Sequence, residues 1–311
     1  MATLLYQRGL MDLEMPVTSI VGEFAGEDPH RDEITLRMLL AHSSGLPAYE
    51  KLFLRAKTRD ELLAAAFSTP LAHDPGEHAE YSDIGFIILA IALERLADEA
   101  LDRFCQREVF GPLGMNRTTF KPAPDLHASI PPTADDRTFR KRVIQGEVQD
   151  ENASVMGGVA GHAGLFATAG DLAVFAQALL QAGGSIGMGC ESQVSVQKTH
   201  ANLGHRGILR SETIAVFTQR VSSPEGSSRA LGWDTPSSPS QSGKYFSPNS
   251  YGHLGYTGTS LWIDPHRQLS ITLLTNRTWP DCENKAIHQI RPLFHDKVVE
   301  ALAATKVDPS A

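Results

Sequence analysis

Apolar positions recur at helical spacing through the first part of the chain and change to strand alternation after residue 250. Met1 to Gly9 has the composition of a helix ending at a glycine, with no residue ahead of it to act as N-cap, so it reads as the back half of a helix. Asp32 to His42 predicts a compact helix stopped by Ser43-Ser44-Gly45-Leu46-Pro47, and Thr58 to Phe67 predicts another. From Ile84 to Leu96 the residues are apolar nearly all round, the mark of a helix buried on most sides. Leu101 to Phe110 gives one more helix, whereas Pro122 to Arg142 reads as a surface passage with little periodicity. Thr168 stands as N-cap, with Asp171 reaching back, for a helix whose face is Leu172, Phe175, Ala176, Leu179 and Leu180 and which Gly183-Gly184 ends.

Periodicity is lost from Ser185 to Gly207, which predicts a flexible insertion over 185–206, and the Ser- and Pro-rich run Pro236 to Pro248 is a second loop. The second half of the stretch from Ser250 to Pro265 then alternates as a strand and turns at Asp264-Pro265 into a second strand, Gln268 to Leu274, whereas its first half is unusual for a strand because glycine recurs every third residue. Asn284 to Ala304 closes the chain as a helix with Ile287, Ile290, Leu293, Phe294, Val298 and Leu302 on one expected buried face. Helices in the middle and strands at the end imply an α/β (α+β) chain: a helical lobe, 31–184, set into a sheet-based lobe formed by 1–30 and 207–311. There is no internal repeat.

With 311 residues and 41% hydrophobic content the chain can bury a sizeable core. A net charge of -8 without a basic cluster repels a phosphate backbone, so nucleic acid is not an expected partner. No apolar run reaches the roughly 18 residues of a membrane span, and the first residues lack the order of a signal peptide, so the chain as written is expected in the cytoplasm. Cys105, Cys190 and Cys282 are too dispersed for a disulfide framework or a cysteine zinc site, and no cofactor is called for.

Candidate chemistry sits in three places. Tyr81-Ser82-Asp83 lies at the mouth of the central helix. His253 lies on the late strand, where Gly252, Gly255 and Gly258 leave a bare backbone that suits either a ligand or a loosened edge strand. The glycine-rich run Gly157 to Phe166 lacks both a preceding strand and a closing Gly-Lys-Ser/Thr, which argues against a phosphate loop. Each residue also has a plain explanation: Ser82 or Asp83 as a helix cap, Tyr81 as a buried phenol, His253 as a surface strand residue.

Leu39 to Pro47, Tyr81-Ser82-Asp83, His253-Leu254-Gly255 and Gly258 to Pro265, in this order, resemble the serine beta-lactamase, penicillin-binding protein and esterase superfamily, in its class C beta-lactamase-like branch. The resemblance runs over essentially the whole chain, and Gly146 to Phe166 looks like a subgroup of uncharacterised serine hydrolases. It implies acyl transfer from an ester, amide or peptidoglycan fragment through a serine acyl-enzyme. By position, Tyr81 is the proton shuttle, Asp83 replaces the usual asparagine and would pair with a lysine, and His253 replaces the strand lysine. Gly255 gives the substrate room and the Tyr256 amide is an oxyanion-hole donor. With His253 in place of the lysine and Leu254 in place of a hydroxyl residue, a parent chain carrying the upstream helix is expected to prefer neutral esters or amides to carboxylate-bearing lactams. The family also requires Ser-x-x-Lys on a helix, expected just ahead of Met1, so the chain reads as truncated and inactive in this form. The alternative is a nucleophile-free binding protein for acyl ligands. Ser195-Val196-Gln197-Lys198, in the unpatterned insertion, is expected to be a chance match.

Overall fold

The computed structural model describes residues 1–183 and 207–305, so the expected insertion, Cys190 and the Ser195 tetrapeptide lie outside the described residues. Helix α1 (Ala2–Gln7) precedes α2 (Leu36–Leu40), which is shorter than the pattern suggests. Pro29–Glu33 winds instead as a separate 3₁₀ turn, and Thr35 caps α2 by accepting from the Met38 amide. Helix α3 (Arg59–Phe67) starts at Thr58, whose hydroxyl accepts from the Glu61 amide. Helix α4 (Asp83–Ala97) buries Ile84, Ile87, Ile88, Leu89, Ala90, Ile91, Ala92 and Leu93, as its all-round apolar sequence requires. Leu5, Leu36, Leu39, Leu62 and Phe104 pack around it in the largest core cluster.

Helix α5 (Leu101–Cys105) widens into a π turn over Gln106–Phe110 before the single turn α6 (Gly111–Leu113). The passage from Pro122 to Arg142, expected to be irregular, carries a 3₁₀ turn and strand β1 (Ala134–Asp136), which pairs antiparallel with β2 (Arg142–Ile144). Three-residue strands are too short to show alternation, which is why the sequence hides this hairpin. Helix α7 (Glu151–Val155) is capped by Asp150, and α8 (Ala169–Gly183) by the Thr168 hydroxyl. Asp171 does not close a capping box: its carboxylate accepts from the Arg117 amide and the Thr118 hydroxyl.

After α9 (Ser211–Thr218), strands β3 (Tyr251–Leu254), β4 (Ser260–Asp264) and β5 (Leu269–Leu273) form an antiparallel sheet in that order, with His253 opposite Leu261 and Trp262 opposite Ile271. Tyr251 and Ile263 face α8 and α9, where they meet Ala176, Leu179, Leu180 and Ile214. Trp262 and Ile271 face the other way, onto Phe246 and Val299 of α10 (Ile287–Thr305). Helix α10 does not bury the stripe expected of it, since Ile290, Leu293 and Leu302 are exposed. Its buried line is Ile287, Arg291, His295 and Val299, spaced four apart, and the two polar members are engaged by backbone. Arg291 donates to the Gly255 and Thr259 carbonyls, and His295 contacts Ser260 Oγ and the Gln241 carbonyl. A hydrophobic period cannot report a buried face made of Arg and His.

Candidate active site

Tyr81 is held by the residues on either side of it. The Glu80 amide donates to the His42 carbonyl, the Ser82 amide to His42 Nδ1 at 3.0 Å, and the Asp83 amide to the Ala48 carbonyl. Ser82 Oγ caps α4 by accepting from the Gly85 amide at 2.9 Å and donates to the Pro47 carbonyl at 2.7 Å. The turn after α2 therefore forms a template for the start of α4. His42 adopts φ 56, a left-handed conformation uncommon outside glycine, which lets one residue present both its carbonyl and its ring to the 80–82 segment.

Around Tyr81 the side chains converge from four parts of the chain. The His42 ring stacks on Phe86 at 4.5 Å and lies 4.6 Å from the Tyr81 ring. The His253 ring is 6.0 Å from Tyr81 on another side, and the Arg229 guanidinium sits 5.7 Å from the same ring. Arg229 reaches this place because Asp234, at the end of its turn, exchanges backbone hydrogen bonds with Gly252, next to His253. Asp83 shares a hydrogen bond with Tyr81 and faces His162, not a lysine, among the described residues. His162 Nε2 lies 2.9 Å from Asp150 Oδ1, which also accepts from the Ala153 amide at the start of α7.

Burial and charge set the protonation of the group. Burial, reinforced by the Asp83 carboxylate, pushes the Tyr81 phenol up, so it is a proton donor as it stands. Burial holds both His42 and His253 below the usual histidine value, and the Arg229 charge acts in the same direction. His253 is thus a neutral imidazole at neutral pH, with Nδ1 2.9 Å from the Leu254 carbonyl. Burial raises Asp83, against the His162 charge that lowers it.

The strand glycines serve the protein's own packing. A Cβ on Gly252 would collide with Trp262 and the Leu261 carbonyl, one on Gly255 with the Thr259 hydroxyl, and one on Gly258 with Thr275. The Cβ side of Gly255 is thus filled by Thr259, so a side chain at this position would displace the chain's own hydroxyl. Tyr256 follows, 61% exposed, with the Arg277 guanidinium 4.2 Å above its ring.

The beta-lactamase family model matches residues 1–292. The chain belongs to the beta-lactamase family. It is 32% identical over 286 residues to a Salmonella typhi protein described as a D-alanyl-D-alanine carboxypeptidase, covering 83% of this chain and 60% of that protein. An Escherichia coli protein of the same description is 31% identical over 275 residues, 80% of this chain and 59% of its own length. This beta-lactamase-family chain thus spans about three fifths of the relatives it matches. Among solved structures, EstCE1, a hydrolase with promiscuous acyltransferase activity, aligns over 94% of this chain and 81% of its own with TM-score 0.65 at 18% identity. A penicillin-binding protein homologue from Caulobacter crescentus aligns over 94% and 78%, with TM-score 0.64 at 16% identity. At such identities the likeness is one of fold.

Four members of the cluster around Tyr81 and Asp83 escaped sequence reasoning. Arg229 lies in Ser227 to Trp233, where no periodicity marks an element, and only the pairing of Asp234 with Gly252 brings it to His253. His42 is part of a recognisable turn, but nothing in its neighbours shows that its ring reaches Tyr81. Asp150 and His162 bracket the glycine-rich run, and a carboxylate 12 positions from a histidine carries no signal before the run is folded.

Proposed function

We propose that the cleft around Tyr81 is the proton-relay and substrate-binding side of a serine acyl-transfer site for a small ester or amide of the peptidoglycan-fragment kind. The observation that carries this reading is the approach of Tyr81 and His253, ring centroids 6.0 Å apart, from opposite regions of a beta-lactamase-family chain. Tyr81 donates a proton to the departing oxygen or nitrogen, Asp83 orients the phenol, and the Tyr256 amide takes the carbonyl oxygen. Arg229 adds a permanent cation beside the pair, a role that neutral His253 cannot fill. This reverses the expectation of a preference for neutral substrates: a carboxylate on the acyl compound has a partner in Arg229, and the names of the curated relatives agree with such a ligand. No Ser-x-x-Lys occurs among the described residues, so on this reading they bind such compounds without themselves supplying the nucleophile of an acyl-enzyme.

Calorimetry with N-acetyl-D-alanyl-D-alanine, run beside fluorophosphonate labelling, tests both halves. The expected result is binding that Arg229→Gln weakens about tenfold, as loss of one charge-assisted hydrogen bond of about 1.5 kcal/mol implies, with no labelled serine. Stoichiometric labelling would overturn the statement about the nucleophile, and binding indifferent to Arg229→Gln would overturn the placement of the carboxylate. The second reading, a nucleophile-free binding protein, is favoured by the same missing motif and differs in one respect. It requires that the chain joined to a relative's Ser-x-x-Lys-bearing segment still hydrolyses neither p-nitrophenyl acetate nor nitrocefin.

A further inference from the structure

Asp83, Asp150 and His162 each offer a ligand atom, and these atoms all lie within 4.8 Å of one another. The three residues come from the first turn of α4, the cap of α7 and the glycine-rich run. Glycine is required for this approach: Gly161 lies so close to the Phe86 carbonyl and the Ala90 side chain of α4 that a Cβ would collide with both. The run is thus pressed onto α4 in the one place that brings His162 to Asp83.

Structural roles account for part of the cluster only. Asp150 caps α7 and accepts from His162, but both bonds fall on Oδ1, leaving Oδ2 for another partner. The His162 side chain is 2% exposed, and its Nδ1 is buried with no hydrogen-bond partner. An orphaned imidazole nitrogen costs about 1 to 3 kcal/mol in such a place. Arg140 is the cation whose charge reaches Asp150, but its guanidinium is spent on Asp136 and on the Val148 and Gln149 carbonyls, so the hydrogen-bonded partner of the Asp150 carboxylate is the His162 imidazole.

We propose that Asp83, Asp150 and His162 bind one divalent transition-metal ion of the zinc type. One imidazole nitrogen and two carboxylate oxygens from three separate elements are a donor set that zinc accepts, with a fourth position left for water. Such an ion neutralises the paired carboxylates and takes the nitrogen that His162 turns toward Asp150. It also ties the start of α4, and with it Tyr81, to the 150–162 segment. The proposal does not rest on the acyl-transfer reading, because its test reads bound metal.

A competitor has to be removed first. His73, Glu77 and His78 also lie within 4.8 Å of one another on an exposed loop, where any imidazole pair collects metal. The experiment therefore uses a His73→Ala/His78→Ala chain, stripped with chelator and titrated with Zn²⁺ by calorimetry and with Co²⁺ by visible absorption. One equivalent is expected to bind, and Co²⁺ to develop the d–d bands of a low-coordinate N/O site. Asp83→Asn, which keeps the side-chain shape and the hydrogen bond to Tyr81, is expected to weaken binding at least tenfold, and His162→Gln to abolish the cobalt spectrum. Circular dichroism of each variant confirms that it is folded. Absence of stoichiometric binding in the double-alanine chain overturns the proposal, as does binding that Asp83→Asn and His162→Gln leave unchanged.

Discussion

Ser82→Ala isolates what holds Tyr81 in place. Ser82 is 1% exposed, and its hydroxyl makes two bonds, accepting from the Gly85 amide and donating to the Pro47 carbonyl. Loss of the cap costs about 1 kcal/mol, and a carbonyl stranded at Pro47 costs about 1 to 3 kcal/mol more. The variant should therefore lose roughly 2 to 4 kcal/mol of unfolding free energy, far above the half kcal/mol of an ordinary surface change. Urea unfolding followed by circular dichroism measures it, with an unchanged slope showing that the denatured state is not the source. Ser82→Thr, which keeps donor and acceptor, should recover most of the loss. A Ser82→Ala chain within about half a kcal/mol of the parent would falsify the assignment of Ser82 as the joint between the turn and α4.

Acid stability provides a second test. Burial holds His295 down to about 4, so the folded chain resists a proton that the unfolded chain takes up near 6.5. Stability is therefore lost as pH falls from 6.5 towards 4, by roughly 3 kcal/mol for this residue, and His295→Gln should flatten that limb in pH-dependent urea melts. Buried, neutral His42 and His253 act with the same sign. Gly252→Ala should destabilise by about 2 kcal/mol or more because Trp262 and the Leu261 carbonyl occupy the Cβ position, and a two-temperature urea series would show a lowered midpoint. Asn152→Ala, which breaks the bonds to the Phe53 amide and the Glu50 carbonyl at a residue 0% exposed, should cost about 2 to 4 kcal/mol while α7 survives by circular dichroism.

Where a side chain's environment is set by its near neighbours, the sequence carried the answer. The apolar run of α4 and the Thr58 and Ser82 caps lie within one or two turns of the features that define them, and all are legible as spacing. The β4–β5 hairpin was legible for the same reason. The buried face of α10 was not, because Arg291 and His295 are buried by carbonyls that the chain brings from elsewhere, and hydrophobicity counts them as exposed. The site divides the same way. Tyr81, Asp83 and His253 stand in recognisable motifs, whereas Arg229 and the Asp150–His162 pair acquire meaning from long-range contacts alone. At Gly255 the structure adds a reason the sequence does not carry: the chain's own Thr259 fills the place a Cβ would take.

The clamp that Arg291 places on the carbonyls of Gly255 and Thr259 fixes both ends of the turn carrying Tyr256, while the Tyr256 ring itself projects into solvent. Backbone position and side-chain identity are thereby uncoupled at that residue. The ring can be exchanged without moving the amide beneath it, so the turn works as a fixed socket with an interchangeable insert. Substitution at position 256 can proceed without any penalty in the geometry of the turn that Arg291 holds.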